Sequence, residues 1–167
     1  MKRLYLVRHA KSSWDHPGLD DFDRPLNERG MRDALDMGKY LAKLGVLPDA
    51  IVTSPAVRAR QTSEALAPAM RISVDNLRED GRIYAASVPV MLEVIREWDE
   101  TWNSVMMIGH NPDIAELAMM LTGEPVGRVP TCAVMEIEMD ATCWADILAE
   151  CGMLASKSTP KVIQDSA

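Results

Sequence analysis

Arg3-Leu4-Tyr5-Leu6-Val7 leads straight into Arg8-His9-Ala10 at the start of the chain. A short run of strand-forming apolar residues without polar alternation reads as a strand buried on both faces. The pattern returns twice. Ala50-Ile51-Val52-Thr53 runs into Ser54-Pro55, and Ser104-Val105-Met106-Met107-Ile108 runs into Gly109-His110-Asn111-Pro112. Segments of helical period separate these strands. Strands alternating with helices predict a three-layer α/β fold, a mainly parallel central sheet with helices on both faces.

The intervening segments carry their own punctuation. Asn27 is placed to cap a helix from Glu28, with Met31, Ala34, Leu35, Gly38, Leu41 and Ala42 on one face and Gly45 as its stop. Ser54 and Pro55 predict the N-cap and first position of a second helix, ending near Leu66 before Pro68. Ile72 to Val74 reads as a short strand and Asp75 to Ala86 as irregular chain. Ser87 caps a helix that lines one face with Met91, Leu92, Ile95 and Trp98. Asp113 caps another, carrying Ile114, Leu117, Ala118 and Leu121 and closed by Thr122-Gly123. Ala133, Met135, Ile137 and Met139 alternate with Val134, Glu136 and Glu138, which predicts a half-exposed strand near a sheet edge. Trp144 to Leu148 fits either strand or helix, and the tail after about Ser156 reads as loose. A single domain over 1–167 is expected, with no internal repeat or linker.

Composition narrows the function. The 167 residues are 47% hydrophobic and hold 25 acidic against 18 basic side chains, a formal net charge of −7. Such a chain can bury a core without staples, and its acidic balance argues against binding nucleic acid through broad phosphate attraction. No apolar run approaches a membrane span, and Leu4 to Val7 is too short for the hydrophobic region of a signal peptide. No membrane partner is expected, and a cytoplasmic location is. Cys132, Cys143 and Cys151 form no C-x-x-C pair and sit near no histidine, so they read as buried free thiols. Twelve of the 18 basic residues are arginine, however, whose rigid fork suits carboxylate and phosphate.

In open α/β sheets ligands bind beyond the carboxyl ends of the strands. There the first strand ends in Arg8-His9-Ala10, the second in Ser54-Pro55 with Arg58 one turn on, and the third in Gly109-His110-Asn111-Pro112. Two of three histidines and two arginines therefore converge on one sheet edge. Each taken singly is an ordinary loop residue; their coincidence at equivalent positions is what points to a functional site.

The set resembles the histidine phosphatase superfamily, with its phosphoglycerate mutase-like fold. The resemblance rests on Leu6-Val7-Arg8-His9-Ala10, Arg24-Pro25-Leu26-Asn27-Glu28-Arg29-Gly30, Thr53-Ser54-Pro55-Ala56-Val57-Arg58-Ala59-Arg60-Gln61-Thr62 and Gly109-His110-Asn111-Pro112, in the family's order over about two-thirds of the chain. The compact length is most similar to the SixA-type phosphohistidine phosphatases. The resemblance implies that His9 is the nucleophile, forming a phosphohistidine intermediate that water hydrolyses. It implies that Arg8 and Arg58 clamp the phosphoryl oxygens, that His110 is a second hydrogen-bonding partner of the phosphoryl group, and that no metal or cofactor is required. A backbone carbonyl is expected to hold the other ring nitrogen of His9.

Ala10 stands where many members carry glycine. Glu79 and Asp80 are the candidates for a general acid; the alternative is that both are solvated turn carboxylates. Ser12 and Asn111, with Trp14, are candidates for the pocket mouth. His16 and the acids Asp20, Asp21 and Asp23 read as solvated loop residues, since their spacing lacks the rest of a calcium loop. The expected function is a metal-independent phosphatase acting on phosphohistidine in a signalling protein. The alternatives are a phosphatase for small phosphate esters and a non-catalytic phosphate-binding adaptor.

Overall fold

The structure, a computed structural model, describes residues 1–166. Eleven elements follow one another: β1 Lys2–Arg8, α1 Glu28–Lys43, β2 Ala50–Thr53, α2 Val57–Ala69, β3 Leu77–Glu79, α3 Val88–Arg96, β4 Ser104–Gly109, α4 Asp113–Thr122, β5 Val134–Met139, β6 Gly152–Ser158 and α5 Pro160–Asp165. The strands form one sheet in the order β3-β2-β4-β1-β5-β6. The first four positions in that order run parallel, and β5 and β6 join antiparallel.

Side chains alternate across β1, and each face gains its own core. Leu4 and Leu6 pack with Met91 and Ile95 of α3, Ile114 and Leu117 of α4, and Trp144. Tyr5 and Val7 pack with Met37 and Leu41 of α1, Leu66 of α2 and Ile163 of α5. Helices thus cover both faces, as the alternation of elements predicted. Asn27 caps α1 by accepting from the Gly30 N–H at 2.8 Å, and Ser87 caps α3 by accepting from Val90 N–H.

Several expectations change. The buried face of α1 centres on Ala34, Met37, Gly38 and Leu41, while Met31 and Leu35 are exposed. The second helix is capped by Ala56, not Ser54, and runs through Pro68 to Ala69; at Pro68 it is already in its last turn. Pro112, not Asp113, is the cap position of α4. No strand forms at Ile72–Val74; a 3-10 turn at Val74–Asn76 precedes β3. Trp144 opens another 3-10 turn rather than a strand or an α-helix. The alternating segment β5 does lie near a sheet edge, one place in, with β6 paired along its outer side. The tail expected to be loose after about Ser156 finishes β6 and enters α5, where Thr159 accepts from Val162 N–H and Ile163 is buried; its last residue, Ala167, lies outside the described residues.

Candidate active site

The strand order assembles the site. β4 follows β3 in sequence yet inserts between β2 and β1. Arg8 pairs with Gly109 across β1 and β4, so His9 and His110 leave neighbouring strands side by side. Their ring centroids are 5.2 Å apart with the planes tilted at 52°. Thr53 pairs with Ile108 on the other side of β4, which sets Ser54 beside the same chain ends. Arg58 sits in the first turn of α2 and reaches back to the rings. His9, Arg58 and His110 are all buried.

His9 is held firmly. Its N–H donates to Gly109 O at 3.0 Å, and Cys132 N–H is shared between Arg8 O and His9 O. Ala10 N–H donates to Thr62 Oγ1 at 3.0 Å, and that hydroxyl donates to Arg58 O at 2.7 Å. One threonine thereby couples the His9 loop to α2. In the ring, Nδ1–H donates to a backbone carbonyl, as expected, and that carbonyl is Ala10 O at 2.7 Å. Nε2 is left with its lone pair, 3.4 Å from Arg58 Nε. Burial pushes the His9 pKa down to about 3; the Ala10 hydrogen bond opposes this, and His110, Arg58 and Arg8 reinforce it. At neutral pH His9 is an uncharged base with a fixed tautomer.

His110 is set by Ser54. Ser54 Oγ accepts from Ala56 N–H at 3.2 Å and lies 2.8 Å from His110 Nε2. A buried hydroxyl needs an acceptor for its own proton, and Nε2 supplies it. The ring proton then belongs on Nδ1, which is buried without a hydrogen-bond partner. Burial, with repulsion from Arg58, lowers the His110 pKa to about 4 against an opposing pull from Asp21. His110 is therefore a neutral donor whose N–H is unspent.

Arg8 donates from Nη1 to Val129 O at 3.1 Å, while its buried Nε has no partner. Asn111 donates to the same carbonyl at 3.0 Å. The segment around Val129 is fastened from β6, where Lys157 Nζ donates to Val126 O at 2.7 Å and to Arg128 O at 3.0 Å.

Asp20, Asp21 and Asp23 are exposed, as is His16. The Asp21 side chain, 54% exposed, is nonetheless engaged by partners the sequence did not suggest. Its carboxylate accepts from Arg58 Nη2 at 3.0 Å, from Tyr84 OH at 2.8 Å and from Arg24, and its main-chain carbonyl accepts from Arg58 Nη1 at 2.6 Å. Partial burial works to raise its pKa. The hydrogen bonds from Tyr84 and Arg58, the Arg58 charge and Arg24 outweigh it and bring the value down to about 2. Tyr84, also unforeseen, packs edge-on against both Phe22 and His110, with centroids 5.1 and 5.5 Å away.

The two candidate acids lie beside Thr53, Glu79 pairing with it and Asp80 N–H donating to its carbonyl, but neither side chain is hydrogen-bonded to the cluster. Glu79 ends β3 as an exposed residue. Asp80 caps the 3-10 turn Gly81–Ile83 and is committed to Arg82, which donates to both of its carboxylate oxygens. Ser12 is buried, accepting from Arg24 Nη1 at 2.7 Å. Trp14 is exposed and stacks on Arg24, 3.7 Å from guanidinium carbon to ring centroid.

Cys132 is buried, and desolvation lifts its thiol to about 12, which leaves it inert. Cys143 and Cys151 are half-buried and unpaired. Among the described residues no cluster of three or more His, Cys, Asp or Glu side chains could hold a metal ion. None of the described helices is long and apolar enough to cross a membrane.

Comparison with known proteins gives a family model, the histidine phosphatase superfamily (branch 1), matching residues 4–102. An uncharacterized chloroplastic protein of Arabidopsis thaliana is 30% identical over 99% of this chain and 79% of its own length. An uncharacterized protein of Mycobacterium tuberculosis is 30% identical over 93% of this chain and all of its own length. Among solved structures, a proposed phosphohistidine phosphatase SixA from Agrobacterium tumefaciens superposes with a TM-score of 0.81. It is 30% identical, over 95% of this chain and 98% of that one. A protein histidine phosphatase SixA complexed with tungstate has the same fold, with a TM-score of 0.84 at 21% identity over 96% of this chain and 99% of that one.

Proposed function

The chain belongs to the histidine phosphatase superfamily, and from that premise we propose that it removes phosphate from phosphohistidine in a signalling protein, without a metal, through a phosphorylated His9. The observation that carries the reading is the His9 ring. Its Nδ1–H is spent on Ala10 O at 2.7 Å, and its Nε2 lone pair faces Arg58 from a buried position. A neutral imidazole presenting a lone pair is a competent nucleophile toward phosphorus.

The reaction is two displacements. In the first, Nε2 attacks phosphorus and the leaving group departs opposite to it. In the second, water attacks the phosphoryl group on His9 and orthophosphate leaves. Arg8 and Arg58, with the Nδ1–H of His110, meet the charge on the phosphoryl oxygens. Arg8 Nε and His110 Nδ1 are buried donors without partners in the chain, as that task requires. The choice of phosphohistidine draws on the SixA relative of 30% identity. It also draws on exposed Trp14 and Leu19 on the loop that carries Asp21, apolar surface that a protein substrate would cover. A second reading, hydrolysis of small phosphate esters, draws on the carboxylate of Asp21 beside Arg58.

The test pairs a phosphohistidine-bearing protein domain with sugar and nucleotide phosphates as substrates. Release of phosphate from the protein, with an acid-labile phosphoenzyme that disappears in His9→Ala, is the expected result. Arg58→Ala should lose about 3 kcal/mol of transition-state stabilisation, roughly 100-fold in rate. Turnover of small esters alone would overturn the phosphohistidine assignment, and full activity in His9→Ala would overturn the mechanism.

A further inference from the structure

Arg58 is the hinge of this inference, which rests on the phosphatase reading. Its guanidinium has two ends. Nε is 3.4 Å from His9 Nε2, while Nη1 and Nη2 are both occupied by Asp21, through its main-chain carbonyl and its carboxylate. A phosphoryl group in line with His9 needs those donors, so it contends with the Asp21 carboxylate for the same cation. Asp21 stands at the end of the guanidinium away from Nε, and Tyr84 links it to the His110 ring, donating to its carboxylate at 2.8 Å with ring centroids 5.5 Å apart.

We propose that Asp21 hands a proton to the departing atom of the substrate, having taken that proton up when the phosphoryl group displaces its carboxylate from Arg58.

The charges around Asp21 make this exchange self-timing. It faces Arg24 from its own loop, Arg58 from α2, Tyr84 from the turn after β3 and His110 from the end of β4. Before substrate arrives, Arg58, Arg24 and Tyr84 hold the group ionised. A bound phosphoryl dianion takes the Arg58 charge away and sets negative charge beside the carboxylate, and both changes favour the protonated form. Tyr84 OH stays within hydrogen-bonding range to orient it.

The atoms balance. As the His9 Nε2–phosphorus bond forms, the bond from phosphorus to the leaving oxygen or nitrogen breaks. Its electron pair goes to that atom, which takes the Asp21 proton. The carboxylate so formed accepts a proton from the attacking water in the second displacement. Orthophosphate leaves, His9 returns to its neutral form, and Asp21 gives its proton to solvent as it pairs with Arg58 again.

The experiment compares the whole protein with Asp21→Asn on two esters, p-nitrophenyl phosphate, whose leaving group needs no proton, and an alkyl phosphate, whose leaving group does. General acid catalysis contributes on the order of 100-fold or more, so the ratio of alkyl to nitrophenyl kcat/KM should fall by about that factor in Asp21→Asn. The ratio is insensitive to any loss of folded protein. Calorimetry of inorganic phosphate binding in buffers of different ionisation heat gives a second readout: the native chain should take up a proton that Asp21→Asn does not. An unchanged ratio, or equal proton uptake, overturns the role of Asp21 and leaves the phosphatase reading standing. Failure of the native chain to release phosphate from either ester or from a phosphohistidine-bearing domain, or to bind phosphate, overturns both.

Discussion

At the scale of single residues, two histidines of identical chemistry are given opposite roles by one hydrogen bond each. Ala10 O takes the Nδ1 proton of His9 and frees its Nε2 lone pair; Ser54 occupies Nε2 of His110 and leaves an N–H at Nδ1. Ser54→Ala removes the device that fixes the second tautomer. We expect kcat/KM for p-nitrophenyl phosphate to fall at least ~10-fold, as for a misaligned preorganised donor. The urea-unfolding free energy should fall by only about 1 kcal/mol, the net worth of one hydrogen bond. Equal turnover in the variant would show that His110 needs no such orientation. Arg8, His9, Arg58 and His110 were legible in the sequence because each lies at or just past a buried strand, where the strand itself announces the position. Asp21 carried no such signal. It sits among acids in a polar loop, and its partners Arg58 and Tyr84 are distant in sequence, so only folding of the loop onto α2 and the turn after β3 reveals it.

At the scale of elements, the motif from Arg24 to Gly30 proves to be a fastening for the chain that follows His9. Leu26 N–H donates to Gln61 Oε1 of α2 at 2.8 Å, Asn27 N–H donates to Lys11 O at 3.0 Å, and Arg24 holds Ser12 and Ser13. Gly30 lets α1 lie directly on that backbone: a Cβ there would come within 2.1 Å of Lys11 O. Gly30→Ala must therefore push α1 and the His9 loop apart. A loss of about 2–3 kcal/mol in urea unfolding is expected, with reduced turnover; unchanged stability would mean that the helix yields freely. Helices with a wide apolar face were legible, as were strands buried on both sides. The elements missed were β3, β6 and α5. β3 has three residues, two of them exposed, and β6 is an edge strand with a single buried residue, so neither writes an apolar pattern. For α5 the Thr159-Pro160 start was there to be read, but six residues are too few to establish a period.

At the scale of the whole molecule, burying two neutral histidines ties folding to pH. Both have pKa values below the ordinary 6.5, His9 at about 3 and His110 at about 4, so the unfolded chain binds protons there that the native chain refuses. Their contribution is fully present above pH 6.5 and drains away as the pH falls toward 4. Asp33 and Asp113, raised by burial, work in the opposite sense near the carboxylate range, so the clean window is pH 6.5 to 5. There the two histidines together should cost the protein about 3 kcal/mol. Urea midpoints across the window should fall in the native chain and stay nearly level in a double variant lacking both imidazoles; a flat native profile would refute the assignment. The acidic surface, with a net charge of −7, encloses a pocket of arginine and histidine, so overall charge was a fair guide to the exterior and a poor one to the site. Finally, the turn around Gly127, at φ 70°, is bracketed by Lys157 of β6, and Arg8 leans on the Val129 carbonyl just beyond it. During synthesis all four site residues leave the ribosome by position 110, well before Lys157 does. The chemistry is written early and its brace late, so a nascent chain carrying every reactive group has yet to gain a seated Arg8, and turnover should begin only as β6 takes its place on the sheet.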